Sequence, residues 1–443
     1  MTKTRECPFA NLMDPSLIGQ GMPNEAIRRI QNAGPAIKIN DPLTGVPFWA
    51  VTHKQAIDYV SNNNHLFSSA LRGAPPMETP QRDVDNILSK MFLNMDPPLN
   101  LEYRQLIRDN FTPAHVATYT DKLERIAKEV VDSVIDQGYC EFVEDIAAEL
   151  PLITILELFD IPANERKQFF TWTNLLFFSD DPAYQKKPED ASSVVMVLFE
   201  RLKRKLMKGY SQALALKAAL EVTSYFKKMA VKWRGRPEKN LCTQLLNGTI
   251  QGKPISDTDF AWICLMLVSA GNESTRTAIA QGMRNLIENP DQYRYLQDNP
   301  ERMVDAVEEI LRHNTSFICM RRTATQDHVA EELGNAPIKR GDKVILYYHA
   351  SNHDKALFGA DADDFDLMRP TKISDFRQHL RSFGQGRHNC LGMHLARLEI
   401  NVMLSEVVRR MHNPQFAGDV KYIHSNFIQG IREMPITFQK TPS

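Results

Sequence analysis

Cys390 lies between His388 and His394, shortly after Gly384 and Gly386 and two residues before Gly392, in the stretch SFGQGRHNCLGMHLARLE that begins at Ser382. A single cysteine is most often a small apolar core residue. The setting of this one points to a reactive sulfur. It leads a helical pattern, so the free amides and positive dipole end of a helix face it, and Arg387 is near in sequence; both favour a thiolate. The glycines allow a tight turn and close approach of backbone to a flat ligand. A metal-bound sulfur fits these features. A zinc site built from His388, Cys390 and His394 has suitable residue types, but no fourth ligand is suggested and the glycines would have no purpose in a compact tetrahedral site.

Helical periodicity dominates from about residue 101 onward and positions these groups. A helix after Cys390 follows from Leu391, Leu395, Leu398 and Val402. Ser256, followed by Asp257 and Asp259, caps a long helix to Glu288, halted by Asn289 and Pro290. Its middle, FAWICLMLVSAGNESTRTAIA, is apolar nearly all round and is expected to cross the core. A further helix is expected from Asn299 (N-cap) and Pro300, with Met303, Val307, Ile310 and Leu311 on one face and Glu309 and Arg312 three apart. Strand signals are short: GVPFWAVT from Gly45 reads as an early hairpin strand, and APIKRGDKVILYYHASN alternates and then runs apolar. The fold expected is mainly α with small β-sheets, in one domain over 1–443. Within it, 180–234 is expected to form lid helices whose basic cluster (Arg201, Lys203, Arg204, Lys205, Lys208) has a membrane surface or a partner as one reading and a solvated face as the first.

The chain has 443 residues, 43% hydrophobic and 24% charged, with a formal net charge of -1, enough for a sizeable core and no global call for nucleic acid or an anionic surface. No apolar run reaches membrane-spanning length and the N-terminus lacks a secretory pattern, so a soluble, cytoplasmic protein without stable membrane insertion is expected. The six cysteines have no paired spacing, which argues against a disulfide framework.

FGQGRHNCLG resembles the haem-ligand signature of the cytochromes P-450, the haem-thiolate monooxygenases, Phe-x-x-Gly-x-x-x-Cys-x-Gly: Phe383, Gly386, Cys390 and Gly392, with Gly384 between the first two. Three more motifs occur in the family's order. EILR and FDLMRP hold Glu309, Arg312 and Arg369, which the resemblance assigns to a buried charge network fixing the loop before the cysteine. AGNEST resembles the oxygen-activation segment, which implies that Gly271 leaves room for dioxygen and that Glu273 relays protons with Ser274, or with the adjacent Thr275; Ser274 matches by register, in place of the commoner threonine. MDPPLNLEYRQLIRDNF resembles the segment whose histidine and arginine face a haem propionate, Asn100 replacing the histidine and Arg104 being retained. His388 and Arg322 are assigned by the same resemblance to propionates.

The resemblance implies haem b (iron protoporphyrin IX) held by Cys390, and insertion of one atom of dioxygen into a C–H bond. No flavin or iron–sulfur segment is read in the chain, so a ferredoxin with its reductase is the expected donor, with Arg377, Arg381 and Arg387 as a candidate docking patch. A pocket lined by Phe92, Leu93, Leu267, Val268, Ala270, Phe317, Ile318 and Phe427, with no charged residue evident, is expected to take a hydrophobic small molecule. AGNESTR and SNFIQGI resemble the bacterial branch that hydroxylates terpenoids, steroid side chains and branched lipids, which implies a terpenoid or isoprenoid first. The rivals are a non-oxygenating haem sensor, which has no need of Glu273 and Ser274, and a peroxide-driven enzyme, whose members usually lose that pair.

Overall fold

The computed structural model describes residues 12–19, 21–41, 44–78, 88–178, 196–237 and 240–440. In chain order, α1 (Asn24–Ala33) leads to the hairpin β1 (Ala36–Asn40) and β2 (Pro47–Val51), then α2 (Lys54–Asn62) and the short β3 (Phe67–Ser68). Next come α3 (Leu99–Ile107), α4 (Thr120–Asp132), β4 (Tyr139–Glu141), α5 (Glu149–Leu158), α6 (Arg166–Phe178) and the 38-residue α7 (Met196–Trp233). The rest of the frame is α8 (Asp257–Glu288), α9 (Met303–His313), β5 (Cys319–Ala324), β6 (Lys343–Tyr347), α10 (Met393–Arg410), β7 (Met411–Phe416) and β8 (Pro435–Lys440).

The expected hairpin strand is β2. It pairs antiparallel with β1 and parallel with β6, in a five-stranded sheet ordered β1-β2-β6-β5-β3. β4, β8 and β7 form a second, three-stranded sheet. Of the expected lid, 180–195 lies outside the described residues, and the part from Met196 to Trp233 is one continuous helix packed on α6 and α8.

α8 crosses the core as its composition requires, buried along most of its length, with Ser256 Oγ accepting from the Asp259 amide at 3.0 Å. The expected start of α9 needs correction. Pro300–Arg302 is a 3-10 turn, and the Asn299 side chain caps nothing, because its amide donates backward to Tyr295 O at 2.9 Å. α10 likewise starts at Met393, three residues after Cys390, with Gly392 at the N-cap position.

Candidate functional site

The loop before α10 is fastened from several sides. Cys390 N donates to Phe383 O at 2.8 Å, folding the loop back on itself, and the Gly392 backbone amide donates to the Cys390 thiol. Gly384 and Gly386 have φ of +68° and +70°, where only glycine is unstrained. A Cβ on Gly386 would lie 2.6 Å from Ser61 O, so this glycine serves close contact with the end of α2 rather than with a flat ligand; on Gly384 it would meet the Tyr348 hydroxyl at 3.5 Å. A Cβ on Gly392 meets nothing within 4 Å. Cys390 is enclosed by protein and yet keeps accessible surface, so its sulfur borders an internal cleft instead of packing as core. Burial pushes its thiol up, opposed by the Gly392 amide, Arg104 and Arg397. The cations acting on it are therefore Arg104 and Arg397, and Arg387, which is exposed, is not among them. Phe383 is covered by the Arg397 guanidinium, 4.6 Å from its ring centre.

α9 anchors that loop. Arg312 is fully buried and all five of its N–H groups are used: Nε and Nη2 grip Glu309 at 2.8 and 2.7 Å, and the others reach the carbonyls of Asn352, Ala362 and Asp364. Glu309 also accepts from Arg369 at 3.3 Å and from the Asp366 amide at 3.1 Å. Asn352 carries the network to the cysteine loop, donating to Ser382 Oγ at 2.9 Å and accepting from Arg381 N at 2.8 Å. One residue earlier on α9, Glu308 binds Arg397 of α10 through both oxygens, at 2.7 and 3.1 Å. Sequence reading missed Glu308 and Asn352; the run of two acids, Glu308 and Glu309, just ahead of Arg312 was the available signal.

Arg104, Arg322, His388 and Cys390 lie close enough to act on one another electrostatically. Arg322 is 2% exposed, burial pushes against its charge, and its Nε has no hydrogen-bond partner among the described residues; its Nη1 donates only to Arg321 O. A buried guanidinium in that state calls for an anion. Arg104 donates to Asn389 O at 2.7 Å, and Asn100 reaches Arg387 O only at 3.5 Å, leaving its own Oδ1 buried without a partner. Burial beside Arg322 and Arg104 takes His388 down to about 2, so it is a neutral ring, 3.2 Å from Ser69 Oγ. A buried guanidinium with an unpaired N–H, beside an accessible cysteine sulfur, fits haem, whose two propionates are anionic. The zinc alternative has no such support: among the described residues no three His, Cys, Asp or Glu side chains converge on a metal position.

On α8 one face is marked by accessibility. Ala270, Gly271 and Ser274, at positions i, i+1 and i+4, keep accessible surface on a helix otherwise buried from Phe260 to Met283, with Leu267 (9%) one turn earlier. Ser274 Oγ donates to Ala270 O at 2.7 Å, and Ser316 Oγ donates to Ser274 O at 2.8 Å. A Cβ on Gly271 would touch Ile155 of α5 at 3.4 Å, so the room glycine leaves there is toward α5. Thr275 is not on this face. It is 2% exposed and its hydroxyl, with that of Thr154, meets Glu399 of α10, whose carboxyl burial pushes up to about 8. Glu273 is buried, and its ion pair with Arg276 at 2.8 Å opposes the upward push of burial on its carboxyl. Arg276 in turn donates to Asn174 of α6 at 3.0 Å, and Asn272 links Glu273 to Thr173.

Ser274→Ala is expected to leave the spectrum of the carbon monoxide complex intact and to lower product formed per electron, by about a hundredfold if the full effect of a lost proton-transfer group is expressed. Thr275→Val is expected to change that ratio little, and measuring peroxide against product in both variants checks the assignment.

The expected pocket residues separate into groups. Phe92, Leu267 and Val268 are in the main core around α8, with Leu93 packed against it. Phe317 and Phe427 meet at 4.8 Å between ring centres in a small cluster of their own. Ile318 is a correction: it is 1% exposed and packs with Leu12, Met13 and Ile27 behind the sheet, because successive residues of this extended segment turn to opposite sides. The docking patch is also corrected. Arg381 is 4% exposed and tied to both oxygens of Asp58, and Arg377 pairs with Glu308 at 2.9 Å, which leaves Arg387 as the exposed cation of the three with no ion pair among the described residues.

The model of the family described as Cytochrome P450 matches residues 157–413, more than half of the chain, and the chain belongs to that family. It is thus a haem-thiolate protein and a monooxygenase. Its relatives include a steroid C26-monooxygenase of Mycolicibacterium smegmatis, 28% identical over 97% of this chain and 93% of the relative, and the linalool 8-monooxygenase of Pseudomonas putida, 28% identical over 96% and 98%. Among solved structures, a Mycobacterium marinum cytochrome P450 in complex with pseudoionone superposes with a TM-score of 0.82 at 28% identity, covering 99% of this chain and all of the other. No helix among the described residues is long and apolar enough to cross a membrane.

Proposed function

We propose that this chain is a haem b monooxygenase of the cytoplasm that hydroxylates a C–H bond of a small hydrophobic molecule, a terpenoid or isoprenoid before a steroid side chain or branched lipid, with electrons from a ferredoxin and its reductase. The observation that carries the reading is the accessible patch Ala270, Gly271 and Ser274 on a buried helix, with buried Glu273 beside it. An apolar face with one hydroxyl suits a substrate without charge. Similarity to proteins named for linalool and for steroid C26 oxidation supports an extended hydrocarbon substrate.

Haem, when bound, supplies reductive activation of dioxygen, one atom entering the substrate C–H bond and the other leaving as water. Cys390 would supply the thiolate that donates electron density to the iron. Arg322, Arg104, Asn100 and His388 would hold the propionates, and Phe383, Gly384 and Gly392 would shape the loop that receives the group. Ser274 presents its hydroxyl at the cleft. Arg276 holds Glu273 against α6, so proton delivery through Glu273 requires its carboxylate to leave that pair. Phe92, Leu93, Val268, Phe317 and Phe427 exclude water around the substrate.

A panel of terpenoids, steroids and branched lipids titrated into the haem-loaded protein is expected to give a low-to-high spin shift with at least one terpenoid. That ligand, with ferredoxin, reductase and isotopically labelled dioxygen, should yield a labelled alcohol. Product formed with peroxide but never with the electron donors would overturn the mechanism in favour of a peroxide-driven enzyme.

A further inference from the structure

Helix α7 is the most strongly charged element of a nearly neutral chain. Between Met196 and Trp233 the sequence places nine lysines and arginines against two glutamates, whereas the whole chain has a net charge of -1. The outward face of its second half is one continuous stripe: Leu216, Lys217, Leu220, Glu221, Ser224, Lys227, Lys228, Val231 and Lys232 are all exposed, at the spacing of a single helix face. Large apolar side chains are interleaved with the lysines, Leu216, Leu220 and Val231 being 45%, 55% and 72% exposed. Among the described residues no carboxylate pairs with Lys227, Lys228 or Lys232, and Glu221 is held by Trp172 Nε1 at 2.7 Å and lies 3.8 Å from Lys217. An open groove of about 720 Å³ runs beside the stripe between α6 and α7, lined by Trp172, Leu216, Leu220 and Tyr225.

We propose that this face of α7 docks the protein on an anionic lipid membrane. Lysines that alternate with exposed aliphatic side chains along one helix face suit an interface where headgroups are negative and acyl chains lie just below. Leu216, Leu220 and Val231 give the lysine face an apolar component that a headgroup–acyl boundary takes up together with its charge. An electron-donor protein is a poor occupant for a positional reason. α7 packs on α6 and α8, the elements of the Ser274 side of the cleft, whereas a donor must approach the loop that holds Cys390. Docking through α7 would bring the substrate side of the molecule to the phase in which a hydrophobic substrate concentrates. The interaction is peripheral and involves no spanning helix.

The test is co-sedimentation of the haem-loaded protein with vesicles of phosphatidylcholine alone and of phosphatidylcholine with phosphatidylglycerol, at low and high salt. Binding is expected only to the anionic vesicles, weakening as salt shortens the reach of the charges. The triple variant Lys227→Gln, Lys228→Gln, Lys232→Gln should lower the partition coefficient by about a hundredfold, each lysine near an anionic surface contributing about fivefold. Leu216→Ser with Leu220→Ser should weaken binding at both salt levels. The carbon monoxide spectrum of each variant reports whether it is folded and haem-loaded. No binding to anionic vesicles, equal binding to neutral ones, or an unchanged partition coefficient in a folded triple variant overturns the proposal. So does binding of an acidic ferredoxin through these lysines without binding of vesicles.

Discussion

Cys390→Ser is expected to abolish the strongly red-shifted Soret band of the reduced, carbon monoxide-bound protein while leaving the chain folded. Serine preserves volume and the Gly392 contact, but its hydroxyl does not ionise at working pH, so the anionic sulfur donor is lost. The fold does not depend on this sulfur, because Phe383, Arg381 and Ser382 are anchored by their own bonds to Cys390 N, Asp58, Asn352 and Leu311 O. Retained helical circular dichroism with loss of the band is the expected pair of readings. A band that persists in folded, haem-loaded Cys390→Ser protein would remove Cys390 as the iron ligand.

Glu309→Gln should have the opposite signature, loss of stability first and of the spectrum as its consequence. The variant keeps the shape but leaves Arg312 buried without its counter-charge and takes one carboxylate from Arg369, which retains Asp361 at 2.9 Å. Removing one member of a buried pair costs about 3–5 kcal/mol. Denaturant unfolding measures it. Arg377→Ala is the control: its pair with Glu308 at 2.9 Å is made by a side chain that is 60% exposed, and such pairs are worth about 0–1 kcal/mol. Equal effects of the two variants would mean that the network around α9 does not brace the cysteine loop.

The helices were legible in the sequence where a cap and an unbroken apolar pattern agreed, as at Ser256 and along α8. They were less so where the first turn tightens, as at Pro300. Motif register favours Ser274 over Thr275, and neighbouring residues on a helix are turned by about 100°, so Ser274 keeps accessible surface while Thr275 is buried against Glu399. What spacing could not show was the third dimension of the charged groups. Arg381 and Arg387 are six residues apart in one loop, yet one is a buried partner of Asp58 and the other is exposed. Gly386 looked like room for a ligand, and its constraint comes instead from Ser61, over 300 residues earlier. Glu399 carried no motif and is recognised as a buried carboxyl only once α5, α8 and α10 are packed together.

The two adjacent glutamates of α9 have a consequence for motion. Glu309 holds the segment around 352–369 and Glu308 holds α10 through Arg397, so both supports of the cysteine loop are gripped by neighbouring residues of one three-turn helix. Amide hydrogens of that loop and of α9 are therefore expected to belong to one opening unit and to exchange with solvent together.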